Sequence, residues 1–148
     1  MSELLARIEQ EFNAPRPEHF TNHQHCCECA EHDNTLQQRN PETIGLEELG
    51  SPGWDPICFI NIQGFLYYFP ALARLALEGT GDSYYLDQFL FHISYDGPRN
   101  IRWQACNQQQ RNLVVELLET VLEQRAEEVE EMMNADDLLR TLEIWRER

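Results

Sequence analysis

The chain has 148 residues, 26 of them acidic against 11 arginines and no lysine, for a net charge of −15. That charge repels nucleic-acid phosphate and anionic lipid, so neither is an expected partner, while a basic protein is permitted. Its length is that of one domain able to bury a core unaided, and no apolar run approaches the ~20 residues a membrane span requires.

Ser2 is placed to cap a first helix through about Phe12, with Leu4, Leu5, Ile8 and Phe12 at helical spacing. Asn13-Ala14-Pro15-Arg16-Pro17 stops it, since each proline disfavours helix in the residue before it. No basic start followed by an apolar core marks a signal peptide, so the expected location is the cytosol with reduced cysteines. Five cysteines also fit no neat disulfide framework.

The spacing predicts a second helix over Asn22–Gln38. Residues 23–32 carry three of the five cysteines and three of the five histidines. On such a helix His25, Cys29 and His32 fall at about 0°, 40° and −20°, taking ~100° per residue, with Cys26 near 100°. Cys26-x-x-Cys29 with His25 or His32 makes a partial zinc set, because zinc prefers four soft or borderline donors in a tetrahedron. Glu28 would then orient a histidine proton rather than ligate. No second Cys/His pair follows at short spacing, and Cys58, His92 and Cys106 stand apart. Leu36 lies on the same face, so a packed, metal-free stripe is the simpler reading. A catalytic thiol is opposed by Glu28 and Glu31, whose charge disfavours a thiolate.

Residues 40–56 hold three prolines and three glycines, a long connection with at most one short turn at Leu46-Glu47-Glu48-Leu49. Ile57-Cys58-Phe59-Ile60 reads as buried coil. Asn61 caps a helix to about Leu77, which Pro70 should kink by removing one backbone donor. Phe65, Tyr68, Phe69 and Leu72 share its core face, while Tyr67 and Tyr68 are candidates for a weak ligand pocket. A helix over Ser83–Ile93 ends at Asp96-Gly97-Pro98.

A long helix is expected over Asn107–Met133, with Val114, Leu118, Leu122, Val129 and Met133 as its apolar stripe. Opposite run Glu116, Glu119, Glu123, Glu127 and Glu130, with only Arg125 as a nearby base. Like charges at this spacing cost roughly 0.2–0.5 kcal/mol per pair, so the run is either a solvated face or a surface for a basic partner. A last helix opens at Asn134 or Asp136 and turns Leu138, Leu142 and Trp145 inward, with Arg140, Arg146 and Arg148 matching its dipole.

His25-Cys26-x-Glu28-Cys29, Gly64-Phe65-Leu66-Tyr67-Tyr68-Phe69-Pro70-Ala71 and the late Gln108–Gln110 resemble, together, a family of bacterial proteins of unknown function. The resemblance implies a bacterial origin and one helical domain, and supplies no activity. His23, Cys27 and His32 lie outside its pattern. The expectation is thus an all-α domain over residues 1–148, with five or six helices. Its first functional reading is a non-enzymatic, acidic, protein-binding role, including an immunity-like protein that masks a basic toxin. The alternative is a zinc site at Cys26 and Cys29. No nucleotide loop, nucleophile elbow or zinc-protease signature points to an enzyme.

Overall fold

The computed structural model describes residues 2–147. Among them, regular structure is helical throughout, with nine α-helices and no strand. In order they are α1 (Glu3–Glu11), α2 (Cys27–Gln37), α3 (Leu46–Leu49), α4 (Ile62–Glu78), α5 (Leu86–Ser94), α6 (Ile101–Ala105), α7 (Gln108–Gln124), α8 (Ala126–Glu131) and α9 (Ala135–Arg146). Short 3-10 turns occupy Pro52–Trp54, Pro56–Cys58 and Gly81–Ser83.

Local chemistry explains most of these limits. The Ser2 hydroxyl accepts the Leu5 N–H, the Asn61 side chain accepts that of Gly64, and the Asn107 side chain accepts that of Gln110. Each satisfies a donor that a helix start leaves without a partner. Leu4, Leu5, Ile8 and Phe12 turn inward together, and Phe12 stacks on Phe69 of α4 with ring centroids 4.2 Å apart. Helix α4 runs through Pro70 without a break and buries Phe65, Tyr68, Phe69 and Leu72. Leu138, Leu142 and Trp145 of α9 are buried, and the Trp145 indole donates to the Ile93 carbonyl at 2.8 Å. Helix α7 packs against α1, α4 and α9.

Nine helices stand where five or six are expected, and three differences account for the excess. The turn at Leu46–Leu49 is a full α-helical turn, α3. Helix α6 is set by Asn100, whose side-chain oxygen accepts the N–H groups of Arg102 and Trp103 after Gly97 reverses the chain at φ 74°. The long helix over Asn107–Met133 is in fact α7 and α8, interrupted at Arg125 (φ −130°, ψ 27°). There the Arg125 guanidinium donates to the carbonyls of Ala76 at 2.6 Å, Leu77 at 3.0 Å and Gly79, and pairs with Glu128. These are the carbonyls that the end of α4 leaves without helical partners. Beyond the break Val129 stays buried, but Met133 has φ 60° and is 86% exposed, so it is no part of the apolar stripe.

A fourth correction concerns α2, which begins at Cys27 rather than Asn22. The Asp33 carboxylate takes the N–H groups of Phe20 at 2.6 Å and Thr21 at 3.3 Å, holding residues 20–21 alongside the helix instead of in line with it. Residues 22–25 then turn back, the His25 N–H reaching the Asn22 carbonyl at 3.0 Å. No helix among the described residues is long and apolar enough to cross a membrane.

Candidate metal centre

Cys26 is the residue that caps α2. Its sulfur accepts the Cys29 N–H at 3.4 Å, so a thiol does the work a serine or aspartate usually does at a helix start. The same geometry places Cys26 Sγ 3.4 Å from Cys29 Sγ, and Cys29 Sγ 3.6 Å from His25 Nδ1. One ligand atom from each of His25, Cys26 and Cys29 lies within 4.8 Å of the other two. His25 and Cys26 are exposed and Cys29 is buried, so the trio opens to solvent on one side only.

The two thiols differ electrostatically. The Cys29 N–H, aided by the Cys29 thiol and His25, holds the Cys26 thiol down at about 7. Cys29 moves the other way, because sharing its proton with Cys26, burial and the charge of Glu28 all favour its neutral form. Near neutral pH the pair therefore tends to one thiolate and one thiol, joined by one proton.

His32 is placed elsewhere. Its ring is fully buried between Trp54, at 4.6 Å, and Phe59, at 4.8 Å, with neither nitrogen hydrogen-bonded. Glu28 reaches toward His32, with Oε1 3.5 Å from Nε2, and not toward the cysteines. Of the expected stripe, Cys29, His32 and Leu36 do face inward while His25 does not. A neighbouring group joins His19, His23 and Asp33, with His19 Nδ1 2.8 Å from Asp33 Oδ2 and the two imidazoles stacked at 3.7 Å. Asp33 is already engaged by Phe20, Thr21 and Gln37, and so serves the chain path.

The two phenols both serve the end of α2. The Tyr68 hydroxyl, buried and pushed up to about 12 by desolvation, reaches the Leu36 carbonyl at 2.5 Å and the Arg39 carbonyl at 2.7 Å. The Tyr67 hydroxyl accepts from Arg16, which also donates to the Gln37 and Arg39 carbonyls. The acidic run is divided. Glu116 forms a two-pronged pair with Arg7 of α1 at 2.8 and 2.9 Å, and Glu119 pairs with Arg146 of α9 at 2.9 Å. Arg125 is therefore not its only base. Glu123, Glu127 and Glu130 remain exposed, the last two on α8.

One constellation has no signal in the sequence. Asp55, Cys58 and His92 converge within 4.8 Å, although 34 residues separate the thiol from the imidazole. Trp54-Asp55-Pro56 looks like an ordinary turn, and only the docking of α5 against it brings His92 near.

Fold and site together define an all-helical, acidic domain with a Cys/His cluster at a helix start. The chain belongs to a family of unknown function, DUF6714, whose profile matches residues 1–148. No curated protein and no solved structure matches it.

Proposed function

We propose that the protein binds a transition-metal ion, zinc by the chemistry of its donors, through Cys26, Cys29 and His25. The supporting observation is the spacing of the three donor atoms. Zn–S and Zn–N bonds of about 2.3 and 2.0 Å make tetrahedral edges of about 3.8 Å between sulfurs and 3.6 Å between sulfur and nitrogen. The Cys26–Cys29 and Cys29–His25 separations here are 3.4 and 3.6 Å, close to those edges, and the His25 and Cys26 donors lie within 4.8 Å of each other. Two thiolates and one imidazole suit zinc over calcium or magnesium. Three protein donors at an exposed corner leave a fourth position for water or a ligand, as in zinc sites that exchange ligands. Residues 20–25, anchored by Asp33, hold His25 against the helix and so set the third donor.

Elemental analysis after zinc reconstitution tests the reading: one equivalent in the wild type, and none in Cys26→Ser with Cys29→Ser. A reduced, folded wild type that retains no stoichiometric metal overturns it. So does metal that persists in the double variant.

A second reading assigns the exposed Glu123, Glu127 and Glu130 to a basic protein partner, in the manner of an immunity protein. Its support is their exposure at a net charge of −15. Glu116 and Glu119 add little, since both already hold arginines of this chain.

A further inference from the structure

Beside the 3-10 turn Pro56–Cys58 lies a polar nest that shares no residue with the Cys26–Cys29–His25 trio. Asp55 opens the turn, its Oδ1 accepting the Ile57 N–H at 2.9 Å. Its Oδ2 accepts from Gln88 Nε2 at 2.8 Å and from His92 Nε2 at 2.6 Å, and the side chains of Asp55 and His92 are each 2% exposed. A carboxylate that receives the Nε2 proton fixes the imidazole tautomer and leaves Nδ1 with a lone pair. Cys58 Sγ stands within 4.8 Å of the ring, on the exposed side. The 2.6 Å contact is that of a shared proton rather than of two ligands on one ion. Both Asp55 oxygens are also occupied, so this trio is not a second metal site.

Cys58 and His92 line a cavity of about 560 Å³ whose other walls include Ile60, Phe91, Tyr95 and Ile101. Phe91, Tyr95 and Ile101 are exposed at its mouth, an apolar rim around one thiol. Asn61 and Ile62, at the start of the 17-residue α4, border the same space, where the helix dipole favours developing negative charge. Arg102 lines it as well, while its guanidinium donates to the carbonyls of Ile57 at 2.7 Å and His92 at 2.9 Å. The Arg102 contacts fix the Cys58 turn relative to α5. The hydroxyl of the buried Tyr85 has no partner and lies in the field of Asp55, Arg102 and Cys58.

We propose that Cys58 is the nucleophile of an acyl-transfer site, with His92 as its base, Asp55 as the positioning residue for His92, and apolar acyl esters or thioesters as substrates. His92 Nδ1 takes the thiol proton through one intervening water as sulfur attacks the acyl carbon. The S–C bond forms, the bond from carbon to the alkoxide or thiolate breaks, and that leaving group takes the proton from His92. Water then attacks the acyl-cysteine through the same base, releasing the carboxylic acid and restoring the thiol. The net reaction is hydrolysis, one water consumed per acyl bond cleaved. An assisting base is what this thiol needs. Burial, Asp55 and Glu28 push it above its ordinary range, and Arg102 opposes them only in part.

The test uses p-nitrophenyl butyrate with the full-length, reduced protein. Nitrophenolate release is followed, and the acylated peptide is identified after acid quench. We expect an adduct on Cys58, none in Cys58→Ser, and a loss of about a hundredfold or more in His92→Gln, the usual worth of a positioned base. Because His92 is buried and its replacement puts folding at risk, the wild type supplies an independent measure. The Cys58 acylation rate should level off with rising pH before the range in which this raised thiol ionises. A rate that climbs through pH 9 is that of an unassisted thiol and overturns the proposal. Acylation confined to Cys26, Cys27 or Cys29, or a folded His92→Gln that reacts as fast as the wild type, also overturns it.

Discussion

If Cys26 and Cys29 bind zinc as thiolates, the affinity must carry the protons they lose. Cys26, held at about 7, is half-protonated at pH 7, whereas Cys29 is raised and keeps its proton there. Binding at pH 7 therefore releases about one and a half protons from the two thiols, about two near pH 5 and about one above pH 8. Through the two thiols alone, apparent affinity falls as pH falls, by about twentyfold from pH 8 to 7 and about fiftyfold from pH 7 to 6, or about a thousandfold over both units. Competition against a chromophoric chelator at each pH gives the slope. Calorimetry in buffers of different ionisation enthalpy counts the protons independently. Cys26→Ser removes one ionising donor, so its slope should drop to about one decade per pH unit while affinity falls at every pH. An affinity that changes less than about tenfold between pH 8 and pH 6 means that the cysteines do not ligate as thiolates, and the proposed centre is then wrong.

Arg125→Met should destabilise the fold by about 3 kcal/mol, lowering Tm by roughly 6–12 °C, because it strips the guanidinium from three carbonyls at the end of α4 and leaves Glu128 unpaired; urea titration showing under 1 kcal/mol would mean the break at Arg125 has another cause. Burial pushes the Asp33 carboxyl up, but His19 and the N–H groups of Phe20 and Thr21 outweigh it and hold the group below its usual range. Its stabilising contribution is thus complete above an unfolded value of about 3.9 and is lost as pH falls through the lower folded value. Asp33→Asn should lose about 2 kcal/mol at pH 7 and show a flatter acid-unfolding profile than the wild type. Tyr68→Phe, which removes the hydroxyl from the Leu36 and Arg39 carbonyls while Arg16 still donates to the latter, should cost about 1 kcal/mol by urea titration. Reversing Glu123, Glu127 and Glu130 to arginine should release a basic partner recovered from the native host, and retention in about 0.5 M salt would reject an electrostatic surface.

For the longer helices decided by their own residues, the sequence was enough. Ser2, Asn61 and Asn107 each sit one residue ahead of the helix they cap, and the inward faces of α1, α4 and α9 follow from periodicity. Two of the departures, the start of α2 and the break before α8, have a different origin, a side chain acting on backbone far along the chain. Asp33 holds Phe20 and Thr21 and so delays the start of α2 to Cys27. Arg125 reaches carbonyls nearly fifty residues away and divides one apparent helix into two. Arg7 and Arg146 meet Glu116 and Glu119 only because α1 and α9 pack beside α7. Propensity and spacing carry no record of such partners, since they measure what a segment prefers alone.

The same distinction separates the two candidate sites. Cys26 and Cys29 approach within one helical turn, so their pairing is local and visible as a spacing, even with the helix start misplaced. The Asp55–Cys58–His92 nest is assembled by docking of α5 on the Pro56–Cys58 turn, and each member alone looks unremarkable. His32 connects the two regions physically. It lies on α2 one turn beyond Cys29, and its buried ring is clasped by Trp54 and Phe59, which flank the Asp55–Cys58 turn. The residues that fix α2 therefore also fix the approach to Cys58.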